Sequence, residues 1–360
     1  MRTVAGRAVL SGLFFFFLFW PIAGAQGLCD DVMRRLPPQS AAALGTIQTD
    51  NGVTLRHIMR SGRRNVDSEV GCYAGDADSY RCFAPLFDPI IAKLHGTSSH
   101  YRHTEDFGVG SIPALSPAYD AVVQSNRIRI ARNLRAYPFP SHMTTVQRRQ
   151  VENDVASAIT TAFRDTEFAK GRYYRLEELD QETYVSLVAR HLLFAKGGDD
   201  MAAAGILDDW PHGRSAYVTE DGKLAIWINE EDHMRLTYLD VGGDIKASAE
   251  KAFLALRLLG QYLNYAIDSR LGALTSCPSN VGTGMRASLH LALSTSDQAA
   301  LLARYRDDGL AIRGTGGEGT EISNNTFDVS LKARYGATEQ VLLTTFVNAV
   351  NAAWRDERAD

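Results

Sequence analysis

Leu224-Ala225-Ile226-Trp227-Ile228 runs without a break into Asn229-Glu230-Glu231-Asp232-His233-Met234-Arg235. Five consecutive apolar residues are the pattern of a buried strand. Three acids follow at its end, with an arginine within reach. A solvated turn is the ordinary meaning of such acids, but strand ends are also where side chains are held on rigid supports. Upstream, Val122-Val123 and Arg127-Ile128-Arg129-Ile130 alternate as a strand does, which puts Arg127 and Arg129 on one side. Met143 to Phe163 has helical spacing at Val151, Val155, Ala158 and Ile159, with Thr144 or Thr145 as cap. Ala247 to Ile267 is an amphipathic helix with Phe253, Leu256, Leu259, Leu263 and Ile267 on one stripe. Ala287 to Leu293 and Leu310 to Arg313 are strand-like, and Thr338 to Trp354 is a last helix. From Asp30 to about His95 the pattern is helical and short-looped, and residues 95–118 read as a Gly/Ser/His/Pro linker. The sum is a small helical domain followed by a larger α+β domain.

Length agrees: 360 residues correspond to about two domains. With 45% hydrophobic and 22% charged residues the composition is globular, and a net charge of −4 gives no basic footprint for nucleic acid. Arg2 and Arg7 precede an apolar run, Ala8 to Trp20, and then come Pro21 and Ala23-Gly24-Ala25. Residues 1–25 read as a secretory signal peptide, with an uncleaved membrane anchor as the alternative. The expected localisation is the secretory pathway. Cleavage leaves 335 residues with 36 basic against 42 acidic side chains, a net charge of −6. No later segment is apolar for long enough to span a bilayer. Cys29, Cys72, Cys82 and Cys277 survive the cut, contain no C-x-x-C pair, and leave their bonding open.

Two apparent motifs fail. Gly314-Thr315-Gly316-Gly317-Glu318-Gly319 has the G-x-G-x-x-G form but opens no apolar helix, so it is not a dinucleotide fingerprint. His57, His95, His100 and His103 have no ligand spacing and no completing Cys or carboxylate, so solvated loop histidines are the expectation. The arginines say more. Arg127, Arg129, Arg235, Arg286 and Arg313 all lie in or beside strands. Singly each is a surface charge; converging in one domain they make a phosphate clamp.

Four segments resemble the phosphagen (guanidino) kinases: Ser125-Asn126-Arg127-Ile128-Arg129, Trp227 to Arg235, Cys277-Pro278-Ser279-Asn280-Val281-Gly282-Thr283-Gly284-Met285-Arg286, and Arg313 to Glu318. Gly71 to Tyr80 and Leu86 to Ile91 extend the likeness to the small domain. The seven residues Arg63 to Glu69 form a short guanidino-specificity loop like that of arginine kinases, and Glu318 agrees; Gly316 and C-P-S-N-x-G-T-G are creatine-kinase-like in detail. The resemblance implies a small all-helical domain at 27–110 and a catalytic domain at 119–357, with an antiparallel sheet flanked by helices, of the glutamine synthetase/guanidino kinase kind. It implies reversible transfer of the ATP γ-phosphoryl group to a guanidinium, arginine being the expected acceptor. Creatine, taurocyamine or another guanidino compound is the alternative substrate, and a catalytically impaired pseudokinase that binds nucleotide or a guanidino compound is the alternative function.

By the same resemblance Glu231 and Glu318 grip the guanidinium, and Cys277 lies beside it as a thiolate. Ser125, Arg127, Arg129, His191, Arg235, Arg286, His290 and Arg313 hold ATP. Ser68, Val70, Gly71 and Tyr73 hold the rest of the guanidino substrate. Magnesium arrives on the phosphates with no protein cage, and the chain is a monomer or homodimer. Closure of the small domain and of the loop 314–325 is expected to exclude water. Two residues depart from the arginine kinase pattern: Glu69 replaces glycine, and Asp199 replaces an arginine that pairs with the acid matching Asp67. Asn324-Asn325-Thr326 is an N-glycosylation sequon.

Overall fold

The computed structural model describes residues 27–98, 100–293, 305, 309–314 and 325–355. The leader, Gly316, Glu318 and Asn324 lie outside the described residues.

The small domain is six short helices: α1 (Leu28–Arg35), α2 (Pro38–Leu44), α3 (Leu55–Ile58), α4 (Arg60–Arg64), α5 (Ser79–Cys82) and α6 (Ala84–His95). Their apolar faces meet at Val53, Ile58, Phe83, Leu86, Phe87 and Ile90, each 0% exposed. Burying a side chain of this size is worth about 1.5–3 kcal/mol. The cluster also takes in Phe139, Leu274, Val281 and Tyr335, so the small domain's core extends into the large domain. The linker is irregular but not loose. His95 and His103 are buried, against the expectation of solvated histidines. The His103 imidazole sits 3.4 Å from Glu339, whose other carboxylate oxygen accepts the Asp106 N–H at 2.9 Å.

Eight strands form the large domain's sheet: β1 (Val123–Arg132), β2 (Gly171–Arg175), β3 (Ser215–Thr219), β4 (Leu224–Ile228), β5 (Met234–Val241), β8 (Met285–Ala292), β9 (Leu310–Arg313) and β10 (Thr326–Leu331). Their order is β2-β3-β4-β5-β1-β8-β10-β9, antiparallel throughout. A two-stranded ribbon, β6 (Ile267–Asp268) with β7 (Gly272–Ala273), stands apart. Among the described residues the large domain's helices are α7 (Thr145–Ala162), α8 (Gln181–Ala189), α9 (Asp199–Ala204), α10 (Ile245–Gly260) and α11 (Glu339–Arg355).

Thr144 begins α7 with a capping box, its hydroxyl accepting the Gln147 N–H while the Gln147 side chain accepts the Thr144 N–H. Asp244 caps α10 through the Ala247 N–H. This helix ends at Gly260, seven residues before the expected Ile267: Tyr265 bridges to Leu134 and Ile267 enters the β6–β7 ribbon. One sheet face, with Ile128, Ile130, Leu236, Leu289 and Val329, packs with Ala252, Phe253 and Leu256 of α10, with Val151 and Val155 of α7, and with Phe346 and Val350 of α11. Period-two alternation sends the intervening residues to the other face.

Candidate active site

That second face is polar. β1 and β8 pair so that Arg129 stands opposite Arg286, Arg127 opposite Ser288, and Ser125 opposite His290. β10 places Asp328 opposite His290, and β9 places Arg313 opposite Asp328. On the other side of β1, Arg235 of β5 pairs with Ala131, two residues from Arg129. The register brings together all five sequence-predicted arginines, Ser125 and His290. Nothing in any one strand reveals this.

Asp328 is the hub. Its carboxylate receives Arg127 at 2.5 Å and Arg286 at 3.2 Å, and the His290 Nε2 lies 3.4 Å away. Burial alone would raise its pKa; the adjacent His290 with Arg127, Arg286 and Arg129 holds it instead well below the usual carboxylate range. One carboxylate cannot neutralise so many cations. Burial and the charges of Arg127 and Arg286 push Arg129 well below its ordinary value, and burial takes Arg286 down to about 10. Such a face gains from polyanionic company. At its rim the His191 and His290 rings are 5.8 Å apart, and His191 is held neutral, down to about 4 by burial and by Arg127.

The acidic run turns the corner between β4 and β5. Asn229 adopts φ +57° there, and its side chain donates to the carbonyls of Arg148 and Gly213. Its N–H closes the turn on the His233 carbonyl at 3.0 Å. His233 is structural: Nδ1 accepts the Leu134 N–H and Nε2 donates to the Pro138 carbonyl, while burial lowers its pKa to about 3. Asp232 is fully buried, accepting from Asn133 and from the Ser276 N–H.

Glu231 is the chemically poised member. Oε2 accepts from Arg235 at 2.8 Å and from Asn280 at 3.1 Å. Burial pushes its carboxyl up to about 7 despite Arg235, with Asp232 and Glu230 adding to the rise. Cys277 follows Ser276, its Sγ 3.1 Å from the Ser279 hydroxyl. The thiolate expected beside a bound guanidinium has to be drawn out against the surroundings of the thiol. Burial and the charge of Glu231 push the thiol up to about 12.

The small domain supplies the remaining wall. Gly71, at φ +76°, donates to the Ser68 hydroxyl at 3.1 Å and accepts the Gly62 N–H at 3.1 Å. Tyr73 packs in one cluster with Cys277, Ala204 and Ile206, and Val70 lies against it. The Ala74 N–H donates to the Ser276 carbonyl at 2.8 Å, which fixes this loop beside Cys277. Glu69 directs only its carbonyl inward, to the Leu28 N–H, and is exposed. Asp67 and Asp199 are both exposed and do not pair. The cross-domain contact is instead Asn65 donating to Asp200 at 2.7 Å, supported by Ser61 donating to the Asp200 carbonyl. Sequence reasoning missed Asp328, Asn280 and Asn65. Asn280 sat inside a quoted motif, whereas Asp328 in Thr326-Phe327-Asp328-Val329 carries no local signal.

An arginine-lined sheet face bordered by a near-neutral carboxylate and a thiol defines a phosphotransferase site. Residues 150–360 match the ATP:guanido phosphotransferase C-terminal catalytic domain, and residues 31–92 match the N-terminal domain of that name. The arginine kinase of Polybetes pythagoricus is 38% identical over 299 residues, covering 82% of this chain and 83% of that one. The arginine kinase of Anthopleura japonica is 35% identical over 337 residues; the match covers 91% of this chain but only 46% of that protein's length. Among solved structures, a lombricine kinase superposes with TM-score 0.82 at 30% identity, covering 91% of this chain and 92% of its own. The duplicated taurocyamine kinase of Schistosoma mansoni with bound transition state analog components gives 0.83 at 28% identity, over 92% of this chain and 46% of that one. The chain belongs to the ATP:guanido phosphotransferase family. It is a phosphotransferase with a guanidino acceptor.

Proposed function

We propose that the acceptor is free L-arginine and that the protein is an arginine kinase, exchanging the γ-phosphoryl group between ATP and arginine. The observation that carries this reading is the packing of Cys277 with Tyr73 and Val70, which follow directly on the short loop Arg63–Glu69 of the arginine kinase kind. Identity to arginine kinases at 35–38% supports it; likeness to the lombricine and taurocyamine kinases keeps those guanidino compounds as rivals.

A guanidinium is a poor nucleophile because it stays protonated. With Oε2 of Glu231 occupied by Arg235 and Asn280, Oε1 is left to take a guanidinium N–H. Its raised pKa suits it to accept the proton as the nitrogen turns on phosphorus. Glu318, by resemblance, is the second carboxylate. Arg127, Arg129, Arg235, Arg286 and Arg313 neutralise the triphosphate and the group in flight. An incoming guanidinium beside Cys277 would also pull its thiol down toward ionisation.

Among the described residues no three His, Cys, Asp or Glu side chains could hold a metal. The carboxylate nearest the arginine face, Asp328, is committed to Arg127 and Arg286. Magnesium is proposed to come with the nucleotide's own phosphates, where it would supply further charge neutralisation. We place the activity in the secretory pathway on the strength of residues 1–25; a glycosidase-sensitive mobility shift at Asn324 tests that address. The substrate is tested with a panel of arginine, creatine, taurocyamine, glycocyamine and lombricine in a coupled assay with Mg-ATP. Arginine should give the highest kcat/KM, and preference for another guanidino compound would overturn the assignment.

A further inference from the structure

Cys29 and Cys72 take no part in the phosphoryl-transfer site, yet they meet directly under its substrate loop. Cys29 is the second residue of α1, and Cys72 follows immediately on Gly71. Both thiols are free and buried, at 1% and 0% exposure, in the same apolar cluster. The backbone brings them together: Leu28 donates to the Glu69 carbonyl and Cys29 to the Val70 carbonyl, each at 2.9 Å. A Cβ built on Gly71 would stand 3.4 Å from the Cys29 Cβ and 3.6 Å from the Gly27 Cα, so the chain entering Cys72 runs hard against Cys29. A hydrogen bond with the Cys29 thiol, together with burial, raises the Cys72 pKa well above its ordinary value. A disulfide needs Cβ atoms about 3.5–4.5 Å apart, and the two backbone hydrogen bonds lay the segments that carry Cys29 and Cys72 side by side.

We propose that Cys29 and Cys72 are a disulfide-forming pair that fastens α1 to the guanidino-specificity loop. The oxidant is a low-molecular-weight disulfide of the glutathione kind. Two protein thiols and one external disulfide give the Cys29–Cys72 bond and two external thiols; one S–S bond forms, one breaks, and two electrons and two protons leave the protein. Thiols shut away from solvent are poor nucleophiles once the chain is folded. The bond therefore forms during folding, before the cluster closes over both sulfurs. Cys277 stays outside the pair and remains available to the substrate. The cross-link itself is independent of which activity the site has; its effect on substrate binding rests on reading Arg63–Glu69 as the guanidino-specificity loop.

The full chain is refolded in a reduced/oxidised glutathione buffer, denatured, treated with a thiol-alkylating reagent without reduction, and digested for mass spectrometry. The expected result is a Cys29 peptide joined to a Cys72 peptide, with two alkylated cysteines, Cys82 and Cys277, out of the four. The Cys29→Ala chain should carry three labels and no bridge. Four labelled cysteines in the unsubstituted chain, or a bridge engaging Cys82 or Cys277, would overturn the pair. Steady-state kinetics on bridged and reduced protein then test the fastening: reduction should raise the guanidino-substrate KM two- to fivefold and leave the ATP KM unchanged. Equal KM values would refute that effect. A chain inactive on every guanidino compound would count against the loop reading, while the peptide map would still decide the bond.

Discussion

At the scale of single residues, Glu231 links burial to reactivity. Its carboxyl is raised to about 7, so the protonated form dominates in the free protein at mildly acid pH. In the proposed mechanism the base is the ionised form, and kcat/KM should rise about tenfold per pH unit below that value and level off above it. Glu231→Gln removes the proton acceptor and should lower kcat by a factor on the order of 10²–10⁴ while the fold persists. Stability should move the opposite way. A folded-state pKa above the unfolded one stabilises fully at low pH, and that contribution is lost as pH rises from the ordinary glutamate range through about 7. The melting temperature should therefore fall between pH 5 and 8 more steeply in the unsubstituted protein than in Glu231→Gln. Parallel melting curves would count against a buried, proton-holding Glu231. Asp328 has the opposite character: its carboxylate is ionised and satisfies two arginines. Asp328→Asn leaves Arg127 and Arg286 buried without their counter-charge and should cost roughly 3–5 kcal/mol of stability. Mg-ATP, bringing its own negative charge to that face, should restore more stability to this variant than it adds to the unsubstituted protein in a thermal-shift assay.

At the scale of elements, the sequence shows what repeats along the chain and hides what only pairing creates. Strand β4 was legible because five apolar residues in a row have few other homes, and β1 because Arg127-Ile128-Arg129-Ile130 alternates. Strands β2, β3, β5 and β10 were not. Gly171-Arg172-Tyr173-Tyr174-Arg175 carries too little apolar surface at an edge, and Met234 to Val241 mixes core and polar positions, because its two faces meet a helix layer and the arginine face. The five arginines could be suspected of converging from the kind of segment they occupy, but their register and the carboxylate that organises them could not. Asp328 acquires its role only through β10 pairing with β8. The start of α7 was the opposite case, since a cap is wholly local: the sequence offered Thr144 or Thr145, and the structure uses Thr144 in a capping box with Gln147. Thr144→Ala should cost about 1 kcal/mol. The Asn229 side chain donates to a carbonyl in the first turns of α7, so fraying there reaches the acidic turn. Urea unfolding should show a lower midpoint with unchanged slope, and a full-sized effect on kcat without loss of stability would contradict this account.

At the scale of the whole molecule, the substrate loop and the chemistry reside on different domains, and what matters is how firmly one is seated on the other. Ala74 on Ser276, Tyr80 on the Thr275 carbonyl and Ser141 on the Ala74 carbonyl hold the base of the small domain, next to Cys277. At the outer end of the loop the seating depends on Asn65 reaching Asp200 of α9, with Ser61 on the Asp200 carbonyl. The departure that made closure doubtful from the sequence, an acid at position 199 opposite Asp67, is therefore bypassed one residue along. A hydrogen bond to a carboxylate that is partly open to solvent is worth about 1 kcal/mol, or roughly a fivefold change in an equilibrium. Asn65→Ala should raise the KM for the guanidino substrate by about that factor, because the loop residues Ser68, Val70 and Gly71 lose their outer anchor. The ATP KM should hardly change, since Arg127, Arg129 and Arg286 belong to the large domain alone. Asn65→Asp sets two carboxylates against each other and should act more strongly in the same direction, an effect that high salt reduces by screening. Proportional losses in both KM values, or a change in kcat alone, would place the effect in the catalytic face and not in the seating of the small domain.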